Sequence, residues 1–239
     1  MADDVAQAPA RAWRVVLDKI ETDLLEGRLT PGDRLAPERE LSATLGVGRS
    51  SVREALRVLE VMGLIKTGTG SGPTSGAIII ATPRGGLAAL LRLQVAAQGF
   101  PIADVVATRL LLEQWVVGTL AVDGEHDLAA VRSTLTAMDD DALSTEEFLA
   151  LDAQFHLALA DASGNAVVGA SMAGLRTSIE SYVQAGARRI PDWDATATRL
   201  RREHHDLIRA IDSGEADLAR SLVHDHITGY YAAAGLTRD

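Results

Sequence analysis

Apolar residues recur every three or four positions along most of the chain, which is the spacing of amphipathic helices. The pattern predicts three helices near the start of the chain, over residues 11–26, 38–45 and 50–62. Two glycines, Gly46 and Gly48, separate the second helix from the third, and this arrangement is typical of a helix-turn-helix. At the start of the third helix, Ser51 and Glu54 have the spacing of a capping box.

Two short strands are predicted next, over residues 64–67 and 77–81, with a glycine-rich loop between them. A hairpin directly after a helix-turn-helix is interpreted as a wing. The alternatives are a surface hairpin without a role and a loop that cradles phosphate. The phosphate loop is disfavoured, because no helix opening with Lys-Ser/Thr follows it.

A domain boundary is predicted at residues 82–86, and nearly everything after it has helical periodicity. The predicted helices cover residues 87–98, 102–122, 125–138, 145–162, 166–187, 193–212 and 215–234. Seven helices with short connections favour an antiparallel bundle. The predicted fold is therefore mainly α: a winged helix-turn-helix over 11–81, a linker over 82–86 and a seven-helix bundle over 87–236.

The net charge of −10 argues at first against a nucleic-acid partner, but the charge is unevenly distributed. Residues 11–66 carry 10 Lys+Arg against 9 Asp+Glu, so the acidic excess lies almost wholly outside the helix-turn-helix. Cysteine is absent, which excludes disulfides and thiolate zinc sites and fits the cytosol. Apolar runs such as 77–81 are too short to cross a bilayer, so we expect a soluble, cytoplasmic protein without a membrane partner.

Arginines recur along one outward edge of the third helix. Arg49, Arg53 and Arg57 lie four residues apart, away from the apolar stripe. The forked guanidinium group suits both phosphate and the O6/N7 edge of guanine. Hydroxyl and backbone N–H groups of Ser50 and Ser51, at the helix start, can also hold a phosphate. This surface is predicted to read DNA.

A solvated helix face is the alternative interpretation of the same arginines. Arg53 and Arg57 would then form ion pairs with Glu54 or Glu60. Taken alone, the helix favours neither interpretation, so the neighbouring sequence has to decide between them.

That neighbouring sequence resembles the GntR family of bacterial transcription regulators. The matching runs are GDRLAPEREL at 32–41 and VGRSSVREAL at 47–56. The resemblance implies a winged-helix domain whose contacts to operator DNA come from Arg39, Arg49 and Arg53. It also implies that the wing near Thr69 and Gly70 enters the minor groove.

Three of the six histidines lie where a predicted helix presents apolar residues, and an aspartate lies one turn before the first of them. The inward-facing set is Asp152, His156, His204 and His226. His205 and His224, by contrast, are predicted to face solvent. One inward histidine is usually a hydrogen-bonded core residue, but three with a carboxylate form a normal site for a divalent metal such as zinc.

The helical region in turn resembles the FCD effector domain of the FadR-like GntR subfamily. The resemblance rests on Asp152-x-x-x-His156, the Ser-Gly-Asn break at 163–165, Glu203-His204 and the terminal His226. It implies that these aspartate and histidine positions hold a metal, as they do in the metal-binding members.

Arg109 is a candidate for binding the effector. It lies one turn before Glu113 on the helix predicted over 102–122, and this resembles the Arg-x-x-x-Glu pattern of the family. The resemblance implies that Arg109 points into the effector cavity and captures a carboxylate. The alternative is an ion pair with Glu113.

These features predict a homodimeric DNA-binding transcription regulator that senses a small carboxylate at a bound metal, and not an enzyme. Two alternatives are a metalloenzyme and a helical bundle in which the metal has only a structural role. Against the metalloenzyme, no acid or base beside the metal set stands out, since Glu203 is predicted to flank the solvent-facing side.

Overall fold

The computed structural model describes residues 12–68, 76–80, 83–97 and 99–236. Within these residues it contains ten α-helices and one two-stranded sheet. The chain divides into two compact units, Met1–Gly86 and Leu87–Asp239. The fold is mainly α, as predicted.

The first unit contains three helices followed by a hairpin. Its elements are α1 (Ala12–Leu25), α2 (Glu38–Leu45), α3 (Arg49–Val61), β1 (Ile65–Gly68) and β2 (Gly76–Ile79). The strands are antiparallel, with Ile65 opposite Ile79, and both side chains are buried. Val16, Val52 and Leu59 from the helices complete the same core. The predicted helix-turn-helix and the hairpin after it are confirmed.

The start of α3 differs from the prediction. Gly46 ends α2 in the left-handed conformation, at a φ of 63°, and Gly48 is already the residue that caps α3. Because the helix begins at Arg49, Ser51 lies inside its first turn, and the cap has no side-chain hydrogen bond. The predicted capping box of Ser51 and Glu54 is therefore wrong.

Every regular element among the described residues of the second unit is a helix, and the first of them, α4, begins at the end of the first unit. Its helices are α4 (Pro83–Ala96), α5 (Ile102–Asp123), α6 (Ala129–Met138), α7 (Thr145–Ala162), α8 (Ala166–Ala187), α9 (Trp193–Asp212) and α10 (Ala216–Ala233). The predicted count of seven is confirmed. Helix α4 begins at Pro83, so residues 83–86, predicted as a linker, are helical; proline is well tolerated in the first turn of a helix.

Helix α5 lies at the centre of the bundle and packs against α7, α8, α9 and α10. Among the described helices it is the one long and apolar enough to cross a membrane, judged by length and composition alone. Within the bundle 44% of its most apolar stretch is buried, and its inward face carries Arg109 and Glu113. These are the properties expected of the core helix of a bundle.

A capping box fixes the start of α7. The Ser144 hydroxyl accepts a hydrogen bond from the backbone N–H of Glu147 at 3.3 Å. The Glu147 carboxylate accepts one in return from the backbone N–H of Ser144 at 2.9 Å. Two donors that the helix itself leaves unpaired are satisfied in this way. The cap lies two turns before Asp152, so it fixes the helix that carries part of the candidate site.

We expect Ser144→Ala to lower the free energy of unfolding by about 1 kcal/mol, because the alanine cannot accept the Glu147 N–H. Denaturant unfolding followed by circular dichroism measures the change. The control is Ser144→Thr, which keeps the hydroxyl and should retain most of the stability. Equal stability of the alanine and threonine variants would contradict the assigned role of the cap.

Candidate metal centre

Three helices bring four potential metal ligands to one point in the bundle core. Asp152 and His156 come from α7, His204 from α9 and His226 from α10. One ligand atom from each lies within 4.8 Å of all the others. Exposure ranges from 0% for His204 to 9% for Asp152, which confirms the predicted inward faces.

The solvent-facing prediction for the two neighbouring histidines is also confirmed. The side chains of His205 and His224 are 42% and 47% exposed, and each lies beside an aspartate at the surface. Helix periodicity therefore distinguishes correctly between the buried and the exposed histidine on α9, His204 and His205. It does the same on α10 for His226 and His224.

The separations within the cluster match ligands arranged around one ion. Asp152 Oδ1 lies 3.2 Å from His204 Nε2 and 3.7 Å from the Nε2 atoms of both other histidines. His156 Nε2 and His226 Nε2 are 3.3 Å apart. Ligands at about 2.0–2.2 Å from one metal ion have separations of roughly this size. Three imidazole nitrogens and one carboxylate oxygen thus fit a divalent metal.

His204 provides a second test of this fit. Its ring is fully buried, and among the described residues neither ring nitrogen has a hydrogen bond of normal geometry. Burial lowers the pKa of His204 to about 3, so the ring is neutral near pH 7 and its lone pair is available. Buried polar atoms without hydrogen-bond partners are costly and rare, and a metal ion bound to His204 Nε2 would give one of these two nitrogens a partner.

Two carboxylates hold the outer nitrogens of the other two rings. The Glu113 carboxylate on α5 lies in close contact with His156 Nδ1. His226 Nδ1 lies 2.9 Å from Glu203 Oε2, and Arg199 donates to the same carboxylate at 2.6 Å. Such partners fix the ring orientation and direct Nε2 towards the centre. Glu203 was predicted to flank the solvent-facing side, and its side chain is half-buried; its contacts with His226 and Arg199 were missed.

Arg176 on α8 supplies a cationic partner for Asp152, which the sequence analysis missed. Its Nη2 donates to Asp152 Oδ2 at 2.6 Å, which leaves Oδ1 facing the histidines. Burial alone raises the pKa of Asp152, but Arg176 and the three rings hold it well below its ordinary value. A recognisable signal exists: Arg176 continues the buried spacing of Met172 and Ile179, where an apolar residue is expected.

Arg109 is 5% exposed and makes the predicted alternative contact. Its Nε donates to Glu113 Oε1 at 2.5 Å, and its Nη1 lies 3.4 Å from the Tyr231 hydroxyl. Burial raises the pKa of Glu113, but Arg109 and His156 outweigh that effect and keep it below its ordinary range. Glu113 is therefore a buried carboxylate shared by an arginine and a candidate metal ligand.

One cavity reaches this cluster, and a second cavity shares part of its lining. The smaller, of about 20 Å³, is lined by Asp152 and His226 together with both buried arginines, Arg109 and Arg176. The larger, of about 250 Å³, also includes both arginines in its lining. Arg109 thus takes part in an ion pair and also borders space in which a ligand could bind.

In the first unit, the candidate DNA-contacting side chains of α2 and α3 lie at the surface. Arg39, Arg49, Ser50 and Arg53 are exposed, and Ser51 is half-buried. Thr69 and Gly70, predicted to enter the minor groove, lie outside the described residues.

The ion pairing of the exposed arginines differs from the predicted alternative. Arg53 Nε donates to Glu38 Oε2 on α2 at 2.8 Å, and its partner is neither Glu54 nor Glu60. Glu60 instead accepts from the backbone and the hydroxyl of Thr67. The contact between α2 and α3 was missed, because helix periodicity describes one helix at a time.

Comparison with known proteins connects both units to one family. The model of the FCD domain matches residues 104–229, and the model of bacterial regulatory proteins of the gntR family matches residues 14–74. The chain belongs to the GntR family. The candidate metal cluster lies wholly inside the FCD match, and the arginines of α2 and α3 lie inside the GntR match.

Individual relatives span most of the chain. The HTH-type transcriptional regulator LutR of Bacillus subtilis is 30% identical over 207 residues, covering 84% of this chain and 91% of LutR. The putative L-lactate dehydrogenase operon regulatory protein of Escherichia coli is 27% identical over 223 residues, covering 92% and 85%. A solved GntR structure from Streptococcus agalactiae shares the fold, with a TM-score of 0.57 at 24% identity over 92% of this chain and 98% of that one.

The GntR chain is accordingly a DNA-binding transcription regulator with an FCD effector domain. Its family and its relatives are transcription regulators and not enzymes, so the metalloenzyme interpretation is wrong. The buried cluster of histidine and carboxylate groups therefore belongs to a regulatory domain.

Proposed function

We propose that this regulator senses a small organic acid at a divalent metal, zinc being the first candidate, held by Asp152, His156, His204 and His226. The observation that carries the proposal is one cavity bordered by two of these ligands and by two buried arginines, Arg109 and Arg176. The name of the E. coli relative refers to L-lactate dehydrogenase, and L-lactate is a small 2-hydroxy acid, which agrees with an effector of this class.

The charges of the cluster explain why an acid would need the metal. The two arginines, Arg109 and Arg176, are balanced by two carboxylates, Glu113 and Asp152, and the contacts between them are short. A divalent ion held by the three imidazoles and Asp152 adds positive charge to this buried group. Unbalanced buried charge is costly, so an anion is favoured once the metal is bound.

With four protein ligands, the metal would bind a carboxylate or a neighbouring hydroxyl by expanding its coordination beyond four, as zinc can do. The residues of the chain supply orientation and charge. Glu113 and Glu203 hold the outer nitrogens of His156 and His226, and Arg176 fixes Asp152. Arg109 and Arg176 border the cavity and can donate hydrogen bonds to the acid.

For the DNA-binding unit, we propose that Arg39, Arg49, Ser50, Ser51 and Arg53 contact operator DNA and that Thr69 and Gly70 belong to the wing that enters the minor groove. A single small winged helix buries too little surface for tight specific binding, so we propose a homodimer that reads two half-sites. Cytoplasmic location follows from the proposed DNA partner.

The coupling between acid and DNA tests this function. We expect a stabilising acid to change operator affinity by about 5- to 150-fold in metal-loaded protein and to have no effect after metal removal. The reason is that only a ligand that binds one conformation better can shift the equilibrium. Operator titration by fluorescence anisotropy, with and without metal, measures the change.

Arginine variants complete this experiment. In protein kept saturated with metal, Arg109→Ala should lose the response to acid while unliganded DNA affinity stays near normal; metal affinity should fall as well, because Glu113 also contacts His156. Arg132→Ala is the matched control, because its exposed side chain pairs with Asp212 away from the cavity. If acids bound to metal-loaded protein without changing its DNA affinity, the proposed sensor function would be contradicted. The alternative that the metal only stabilises the helical bundle would then be favoured.

A further inference from the structure

The larger cavity is a groove between α7 and α8 that leads outward from the buried arginines. We call it the α7–α8 groove; its lining includes Ala150, Ala153 and Leu157 from α7, and Thr177, Glu180 and Gln184 from α8. It shares Arg109, Leu149, Arg176 and Val183 with the small cavity at the candidate metal centre. The two cavities are therefore neighbours with a common boundary.

An unpaired donor lies at this boundary. Arg176 is 8% exposed, and its Nη2 is bonded to Asp152. Its Nη1 is buried and has no hydrogen-bond partner among the described residues; Glu113 Oε1, at 3.9 Å, is beyond hydrogen-bonding distance. Because a buried guanidinium donor without an acceptor is costly, the geometry favours an anionic group at this position.

The groove changes in character from its buried end to its rim. Leu149, Arg176 and Ile179 at the inner end are buried, whereas Thr177 and Glu180 at the rim are exposed. The α7 side of the groove is lined by alanine and leucine side chains, which offer no hydrogen-bonding group to a ligand and favour an apolar one. The Glu180 carboxylate at the rim can accept a hydrogen bond and favours a donor or a positive charge.

The two volumes distinguish a compact ligand from an elongated one. A cavity of about 20 Å³ holds about one water-sized group. The groove, at about 250 Å³, is slightly below the range of about 300–1,000 Å³ usual for pockets of drug-sized ligands. A two-carbon acid would leave the groove unfilled, whereas a short chain of several further atoms would occupy it.

We infer that the effector is an elongated organic acid. Its carboxylate binds at Arg176 beside the metal, its apolar body follows Ala153 and Leu157, and its other end donates a hydrogen bond to Glu180. This inference rests on the proposed function and adds the length and the terminal group of the ligand.

Affinity measurements on the full, metal-loaded chain test the inference. The probes are acetate, hexanoate, and hexanoate with a terminal hydroxyl or a terminal amino group, each titrated by calorimetry. We expect the two hexanoates with a terminal donor to bind about two- to fivefold more tightly than plain hexanoate, the effect of one contact with an exposed carboxylate. Acetate should bind most weakly.

Groove variants show where the longer acids bind. Ala153→Leu should remove the advantage of hexanoate over acetate and leave acetate affinity unchanged. Gln154→Leu is the matched control, because it places the same leucine side chain at the adjacent, exposed position outside the groove lining. Glu180→Gln, at the surface and independent of core packing, should lower affinity for the amino-terminated acid by about two- to fivefold and leave that of hexanoate unchanged.

The outcomes separate this inference from the proposed function. Equal affinity for acetate and for all longer acids would contradict the proposed role of the α7–α8 groove, and so would unchanged affinities in both Ala153→Leu and Glu180→Gln. Neither result would contradict the proposed sensing of an acid at the metal. If none of these acids, acetate included, bound to metal-loaded protein, then the sensor and the groove inference would fall together.

Discussion

Replacement of His204 by alanine is expected to lower metal affinity by about 100-fold or more. His204 is fully buried, and its ring nitrogens lack hydrogen bonds of normal geometry within the described part of the chain. Loss of an outer partner of a ligand already costs about 10- to 100-fold in metal affinity, and loss of the ligand itself should cost more. Elemental analysis after dialysis against a competing chelator measures the metal retained. His226→Ala is expected to behave in the same way.

The exposed histidine next to each ligand provides a matched control. His205 lies beside Asp139 at the surface, and His224 lies beside Asp225. His205→Ala and His224→Ala should therefore leave metal content unchanged. Equal metal loss from the inner and outer variants would show that the bound metal is not held by the buried cluster.

Removal of Arg49 is expected to weaken specific operator binding by about 1–3 kcal/mol, or roughly 5- to 150-fold. Arg49 is the first residue of α3, its side chain is exposed, and it makes no ion pair among the described residues. Its guanidinium is therefore available to DNA without breaking another contact. Titration of the upstream region of the gene at fixed salt, with wild type and Arg49→Ala, measures the loss.

Arg53→Ala should weaken binding by less than Arg49→Ala, because Arg53 must first leave or share its hydrogen bond to Glu38. Arg28→Ala is the control, since this arginine pairs with Asp23 and Glu26. Unaltered affinity in the Arg49 and Arg53 variants would contradict the assignment of α3 as the DNA-reading helix.

Helix boundaries were predictable where a capping side chain or a proline marks the start of the helix. The predicted bounds of α2, α7, α8 and α9 agree with the structure to the residue. Helices α7, α8 and α9 begin with a side-chain acceptor, Ser144, Asn165 and Asp192, and α2 follows Pro37. The same logic failed at Ser51, because the backbone at Gly48 begins α3 before that hydroxyl can cap it. A Ser-x-x-Glu pattern therefore indicates a cap only when the preceding turn leaves the serine outside the helix.

The candidate site was predictable only in its inner layer. Periodicity identified the four potential ligands, because each lies on the apolar face of its own helix. Arg176 and the outer bond of Glu203 were missed, because both are contacts between helices. Such contacts depend on how one helix is rotated against the next, and the spacing within a single helix does not contain that information.

The sharing of Glu113 constrains how effector preference can diverge among regulators of this architecture. A substitution at Arg109 alters the carboxylate that also holds His156, so it changes ligand recognition and metal support together. Side chains at the rim of the α7–α8 groove, such as Glu180, carry no such double role. We therefore expect new ligand preferences to arise by substitution of residues at the rim of the groove. Arg109, Arg176 and Glu113 should change only together.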